Sequence, residues 1–445
     1  MMKYLTVTSY ISSPLLLAFV IFLSNPSKYQ SIQFFGAMLL GVFGYTWILW
    51  QFVLSARPKF IEKYFGLDKM MRFHGIMALV AIGFAVLHKS IMELFFSKNI
   101  MTQSGSIALF IFIGISALSL FFLSPGFMKK IPVFKPVFKV IKAIKVFTYE
   151  RMKIIHNASM AGACLVQIHV LMTSSAREST LLFNLYMAYF FIAAGFYLSH
   201  KAIKPWLIKQ NHYLVSNVVK ESNDIWTVEF KPRDGISFPY RPGQFGYFRM
   251  LSKEIPDEEH PFSISSTPTD LSKISITVKG SGDFTQSIKN VHIGDQVQID
   301  GPYGRFSYTD FPDDRAIVFI AGGVGITPIL SMVRHMSEQK EKRQILLIWG
   351  TRTQSDLIRA EELVQLQEKM INFKWIPVLS GDANWKGEKG YIDFTKLQYL
   401  LTKENLTANT TGFYICGPVV LMDLARRYLQ QLGIQKQNVH YEQFS

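Results

Sequence analysis

The segments His74-Gly-Ile-Met-Ala-Leu-Val-Ala-Ile-Gly-Phe-Ala-Val-Leu-His88 and His156-Asn-Ala-Ser-Met-Ala-Gly-Ala-Cys-Leu-Val-Gln-Ile-His169 each enclose an apolar run between two histidines. An ionisable side chain is costly inside a run apolar enough to enter a bilayer, and there it usually marks function. The pairs are 14 and 13 residues apart, which at 1.5 Å per residue is roughly 20 Å along a helix. Six stretches in all approach the ~20 residues that cross the hydrocarbon of a membrane. They are approximately 5–23, 31–54, 73–96, 107–123, 154–172 and 181–199. They predict a six-helix transmembrane bundle over 1–205, in contact with membrane lipid, with both termini on one side.

The charges orient that bundle. Residues 1–210 carry 21 Lys and Arg against 5 Asp and Glu, leaving 26 basic and 27 acidic residues in the remainder. The basic excess sits in alternate loops. Arg57, Lys59, Lys63, Lys69 and Arg72 occupy 55–72; Lys129, Lys130, Lys135, Lys139, Lys142, Lys145 and Arg151 occupy 124–153; Lys201, Lys204 and Lys209 follow the last span. The loops 24–30, 97–106 and 173–180 carry one basic residue each. This positive-inside pattern places both termini in the cytosol of a multi-pass cell-membrane protein, and it accounts for the basic balance without a nucleic-acid partner. The spacing of Lys135, Lys139 and Lys142 predicts an amphipathic helix at the inner surface.

With that orientation His74 and His156 lie toward the cytosolic side, and His88 and His169 toward the outer side. Two antiparallel helices would present two His–His couples stacked across the membrane, each able to ligate a haem iron axially from both sides. Zinc binding and plain packing are the competing readings. Fourteen residues return to nearly the same helix face, whereas thirteen land ~140° away. The helix bearing His156 and His169 is therefore expected to be distorted, or to offer its ligands from different sides. The only cysteines are Cys164 and Cys416, so neither a disulfide framework nor an iron–sulfur motif is encoded.

Beyond residue 205 the pattern changes. Short alternating segments (225–230, 273–278, 296–299) broken by Pro-Gly and Gly-Asp turns predict an antiparallel β-barrel over 206–310. Apolar strands alternating with helices predict an α/β doubly wound domain over 311–445. The first region holds Arg241-Pro-Gly-Gln244, His260-Pro261-Phe262-Ser263 with Ser265 and Ser266, and Lys279-Gly280-Ser-Gly282-Asp283-Phe284-Thr285. In this order they resemble the flavin-binding barrel of the ferredoxin–NADP reductase superfamily. Hydroxyls and backbone N–H groups there supply donors to FAD, and glycines let the backbone approach phosphates. In the second region a strand runs into Gly322-Gly323-Val-Gly325-Ile-Thr327-Pro328 and then a helix, a turn that suits a pyrophosphate. The next strand ends at Arg352 with no acid for a ribose hydroxyl, which favours NADPH over NADH. Cys416-Gly417-Pro418 ends a later strand, where the superfamily places a cysteine beside the nicotinamide; a packing cysteine is the alternative.

Over nearly the whole length the chain resembles the NADPH oxidase and ferric reductase transmembrane family. The resemblance implies two b-type haems on His74, His156, His88 and His169, with His260 near the FAD pyrophosphate. It puts Ser263 near the flavin ring, Cys416 at the nicotinamide, and Phe444 as the near-terminal aromatic over the flavin. Electrons would pass from cytosolic NADPH (or NADH) through FAD and the haems to a small-molecule acceptor outside. That acceptor is O2, giving superoxide, or alternatively ferric or cupric ion, for which Glu93 and Glu178 offer oxygen ligands. Oxidase members often carry another histidine one turn beyond the outer ligand; here Met92 stands there, between Lys89 and Glu93. No calcium loop and no obligatory protein partner are evident. A haem-bearing sensor and a membrane-tethered flavoreductase with structural histidines are the competing classes.

Overall fold

The computed structural model describes residues 2–24, 26, 31–95, 97, 99–122, 149–210, 212–233, 235–406 and 410–442. It divides into two compact units, Met1–Phe65 with Lys69–Ile203, and Gly66–Asp68 with Lys204–Ser445.

Among the described residues, the first unit supplies six helices long and apolar enough to cross a membrane: Met2–Ser24, Ile32–Ser55, Leu67–Met92, Ile100–Leu120, Ile154–Leu171 and Thr180–Lys209, the last running on past the unit's end. Helix Ile32–Ser55 is the pillar, with 67% of its apolar window buried, while the other five bury 11–28%. Its Met38, Val42, Tyr45, Ile48 and Phe52 form a core with Leu17, Ala81, Ala108, Ala163 and Leu182. Small residues allow close approach: a β-carbon on Gly44 would stand 3.3 Å from the Ala81 carbonyl oxygen, the packing habit of helices in lipid. Outward-facing Ile76, Leu87, Phe110, Phe191 and Ile192 are all more than half exposed. Apolar surface of that extent is not left facing water without a reason.

The third and fourth helices begin at Leu67 and Ile100, a turn or more before the expected 73 and 107. Polar first turns conceal their starts from a hydropathy reading. Asn99 caps the fourth, its Oδ1 accepting from Thr102 N–H at 3.0 Å while Thr102 Oγ1 accepts from Asn99 N–H at 2.9 Å. The fifth span is broken, the first of the two arrangements that its thirteen-residue spacing allows. Helix Tyr149–His156 ends, and helix Ser159–Leu171 begins after a turn. The N–H groups of Asn157, Ala158, Met160 and Ala161 donate to carbonyls three residues back. Each residue wound this way advances ~120° instead of ~100°, which carries His169 back toward the face of His156. The surface helix expected around Lys135, Lys139 and Lys142 lies outside the described residues.

The second unit holds two six-stranded sheets. Strands β1 (His212–Lys220), β2 (Ile225–Pro232), β3 (Phe245–Leu251), β4 (Glu259–Ser263), β5 (Ile274–Lys279) and β6 (Gln296–Tyr303) pair antiparallel in the order β4-β3-β6-β1-β2-β5. The expected barrel does not close. The edge strand β4 has only five residues, and a single bridge, Ile264 to Ile276, reaches β5. Strands β7 (Ala316–Gly322), β8 (Gln344–Thr351), β9 (Phe373–Leu379), β10 (Glu388–Lys389), β11 (Thr411–Cys416) and β12 (Val439–Tyr441) run parallel in the order β10-β9-β8-β7-β11-β12. Strand β7 is buried from Ile317 onward because both its faces are covered. Ile317, Phe319 and Ala321 enter one core, and Val318 and Ile320 the other. The chain leaves β7 toward β8 and returns at β11, so the order reverses between β7 and β11, where such sheets bind ligands.

Candidate functional site

The glycine turn and the cysteine motif meet at that reversal. β7 ends at Gly322, a tight turn covers Gly323–Ile326, and helix Thr327–Glu338 follows with Pro328 in its first turn. Cys416, the last residue of β11, pairs with Ala321. A β-carbon on Gly417, whose φ is +153°, would stand 2.9 Å from Gly322 N, so side chains are excluded where the two strand ends touch. Burial, with the Glu442 carboxylate adding to it, pushes the Cys416 thiol up to about 12; it is a neutral group at physiological pH. At the end of β8, Arg352 is exposed, and the Gly381 N–H donates to its carbonyl at 2.8 Å. Asp356, the nearest acid in sequence, caps a turn through Thr353.

The antiparallel sheet brings two of the predicted flavin motifs together. The His260 ring on β4 packs on Phe284 at 4.0 Å, and Phe262 stacks on the same ring at 6.2 Å. His260 Nε2 lies 2.8 Å from Glu258. Gln244 braces the turn before β3, accepting from Arg241 N–H at 2.8 Å and donating to the Gly304 carbonyl at 3.0 Å. Arg241 is ion-paired with Asp310, a partner that sequence reasoning did not single out. Ser263 is buried at the end of β4, opposite Phe245.

Other predicted donors are engaged inside the protein. Ser266 Oγ accepts from Ser275 N–H at 3.0 Å and bonds to Tyr240 at 2.9 Å; Ser265 Oγ bonds to Ser275 at 3.0 Å. Their carbonyls accept from Ser331 at 2.6 Å and Arg334 at 2.5 Å, stitching the antiparallel sheet to helix Thr327–Glu338. Thr285 Oγ1 accepts from both Ser281 and Gly282 N–H at 2.9 Å. Gly282 and Asp283 thereby open a short helix, and Lys279 faces Asp224 at 3.4 Å beside Gly280. Phe444 lies outside the described residues.

In the first unit the four histidines form two couples. The ring centres of His74 and His156 are 6.2 Å apart, and those of His88 and His169 are 6.4 Å apart. Two metal–nitrogen bonds of ~2.0 Å, plus ~1.1 Å from each nitrogen to its ring centre, sum to ~6.2 Å. Each couple thus has the separation of two imidazoles sharing one metal. Nδ1–H of His88 donates to the Ala37 carbonyl at 2.7 Å, and that of His169 to the Met101 carbonyl at 2.8 Å. This fixes the tautomer and leaves Nε2 as the ring atom with a lone pair that could ligate a metal. His156 Nδ1 lies 3.0 Å from Ser119 Oγ, and His74 Nδ1 is buried beside the Gln51 backbone without a well-aligned hydrogen bond. A cavity of about 630 Å³ surrounds the outer couple. Its walls include Met38, Val42, Leu109 and Phe110, and Lys89, Thr102 and Ser106 are polar members. Among the described residues no group of three or more His, Cys, Asp or Glu could hold a bare metal ion. The Nδ1 partners and the cavity have no signature in spacing, because they come from helices that only folding brings together.

Comparison with known proteins agrees with the second unit. An FAD-binding domain model matches residues 210–307, and an oxidoreductase NAD-binding domain model matches 319–427. The reductase component of propane 2-monooxygenase from Mycolicibacterium smegmatis is 28% identical over 237 residues, covering 52% of this chain and 66% of that protein. The flavohemoprotein of Halalkalibacterium halodurans is 30% identical over 252 residues, 52% of this chain and 59% of that protein. The flavohem-like FAD/NAD-binding domain of nitric oxide dioxygenase from Vibrio cholerae is 24% identical. It covers 53% of this chain and 98% of that domain at a TM-score of 0.47. The chain thus spans about two thirds or less of the length of these curated relatives. Residues 210–307 thus match an FAD-binding domain, and residues 319–427 an oxidoreductase NAD-binding domain.

Proposed function

We propose that the chain is a multi-pass membrane oxidoreductase carrying electrons from cytosolic NADPH, through FAD and two bis-histidine b-type haems, to an acceptor on the far side. The observation that carries the reading is the pair of histidine couples at metal-sharing separation inside helices of membrane-crossing length. Bound at these sites, the nicotinamide and flavin would supply hydride and one-electron chemistry, and a haem at each histidine couple would supply a one-electron carrier. The chain's own residues bind and orient. Gly322–Pro328 and Cys416–Pro418 would cradle the nicotinamide nucleotide, and Arg352 would meet a 2′-phosphate. His260, Ser263 and Gln244 would line the flavin. His74 and His156, then His88 and His169, would grip the haems. No general base is required.

The acceptor in this reading is O2, reduced to superoxide. Reduction of ferric or cupric ion is the alternative, and it requires outward carboxylates as ligands. Glu93 is ion-paired to Lys89 at 2.5 Å, which makes it a poorer cation ligand, whereas Glu178 is exposed. The test is cytochrome c reduction by the purified protein with NADPH. Suppression by superoxide dismutase is expected. Dismutase-insensitive activity alongside rapid ferric-chelate reduction would replace oxygen with a metal acceptor.

A further inference from the structure

Gly41 and Gly105 stand inside helices Ile32–Ser55 and Ile100–Phe122, where glycine costs ~1 kcal/mol relative to alanine. A β-carbon on Gly41 would stand 2.7 Å from Nδ1 and 2.8 Å from Cε1 of His88. One on Gly105 would stand 2.8 Å from Nδ1 and 3.0 Å from Cε1 of His169. On the same two helices, Gly36 and Gly114 would meet nothing within 4 Å. Gly44 would meet the Ala81 carbonyl oxygen at 3.3 Å, so an approach under 3.0 Å belongs to the two positions that face the outer histidines.

Their hydrogen bonds explain the placement. His88 and His169 donate from Nδ1 to the carbonyls of Ala37 and Met101, each four residues before one of these glycines. A helix carbonyl already accepts from the N–H four residues ahead. A second donor reaches it only across the surface of that later residue, and any side chain there would cover the way in. Two unrelated helices thus solve the same problem with the same device. The inner couple is held differently, with a hydroxyl on His156 and, beside His74, a Gln51 backbone carbonyl that makes no well-aligned hydrogen bond to Nδ1.

We propose that Gly41 and Gly105 are positioning residues for the outer haem. Each is a seat that lets one imidazole pin its Nδ1–H to the backbone and present Nε2 to the iron. The inference rests on the two-haem reading above, and its effect is confined to the outer site.

The experiment is the haem-to-FAD ratio of the full-length protein, with low-temperature electron paramagnetic resonance, for Gly41→Ala and Gly105→Ala beside the controls Gly36→Ala and Gly114→Ala. The controls should match the wild type at about two haems per FAD. Gly41→Ala and Gly105→Ala should fall toward one, with loss of one low-spin signal. Two haems with unchanged signals in both variants would overturn the proposal while leaving the haem reading intact; a wild type without haem would overturn both. Should a variant not accumulate, Gly41→Ala is compared with and without His88→Ala. Once the ring is gone the added methyl should cost nothing, and an equal loss of yield in both backgrounds would refute the seat.

Discussion

A β-carbon on Gly325 would lie 2.6 Å from the carbonyl carbon of Cys416. The phosphate-type turn after β7 and the cysteine at the end of β11 are therefore in backbone contact. Gly325→Ala must push these strand ends apart, and overpacking of this kind costs ~1–3 kcal/mol. The expected outcome is a drop of at least ~10-fold in anaerobic flavin reduction by NADPH, with FAD still bound. Stopped-flow bleaching of the flavin band checks it.

Arg352 is exposed just past β8, and Asp356, the nearest acid in sequence, is engaged in capping the turn at Thr353. Hydrogen bonds to charged groups are worth ~1.5–3 kcal/mol. Arg352→Ala should therefore lower kcat/KM for NADPH by ~10- to 100-fold while leaving NADH nearly unchanged. An equal effect on both nucleotides would remove the 2′-phosphate role.

Arg334 clamps Glu362 through two bonds of 2.6 and 2.7 Å while also holding the Ser265 carbonyl. Burial alone would raise the Glu362 carboxyl, but the Arg334 hydrogen bond and charge, helped by Arg359, outweigh it and hold it below 4.5. A depressed carboxylate stabilises the fold above its unfolded pKa, and the contribution is lost as pH falls through the folded value. Glu362→Gln should lower the Tm at neutral pH, corresponding to ~1–3 kcal/mol. The gap to wild type should shrink on acidification below about pH 4.5. Thermal melts at the two pH values check the sign.

The sequence made some features legible and concealed others, for physical reasons. The 14- and 13-residue histidine spacings made the couples legible and left two arrangements for the fifth span, a distortion or ligands on different sides, because helix geometry links spacing to face. The parallel sheet was readable from runs such as Ala316–Gly322, since strands covered on both faces are continuously apolar. Helix starts at Leu67 and Ile100 were hidden by polar first turns. The open antiparallel sheet was not legible, because closure depends on how far the short β4 reaches rather than on alternation. The roles of Gly41, Gly105 and Ser119 were also hidden, since each acts on a histidine from another helix. The hydroxyls of Ser265 and Ser266 look like ligand donors in sequence, yet they are spent on Tyr240 and Ser275.

Whether NADPH electrons reach iron held between paired imidazoles is tested by adding NADPH anaerobically to the purified protein and following the Soret band. About two bis-imidazole haems per chain are expected, reduced after the flavin, with the outer one lost in His88→Ala. A protein that purifies without haem, or whose flavin bleaches while the Soret band stays oxidised, would contradict that electron path.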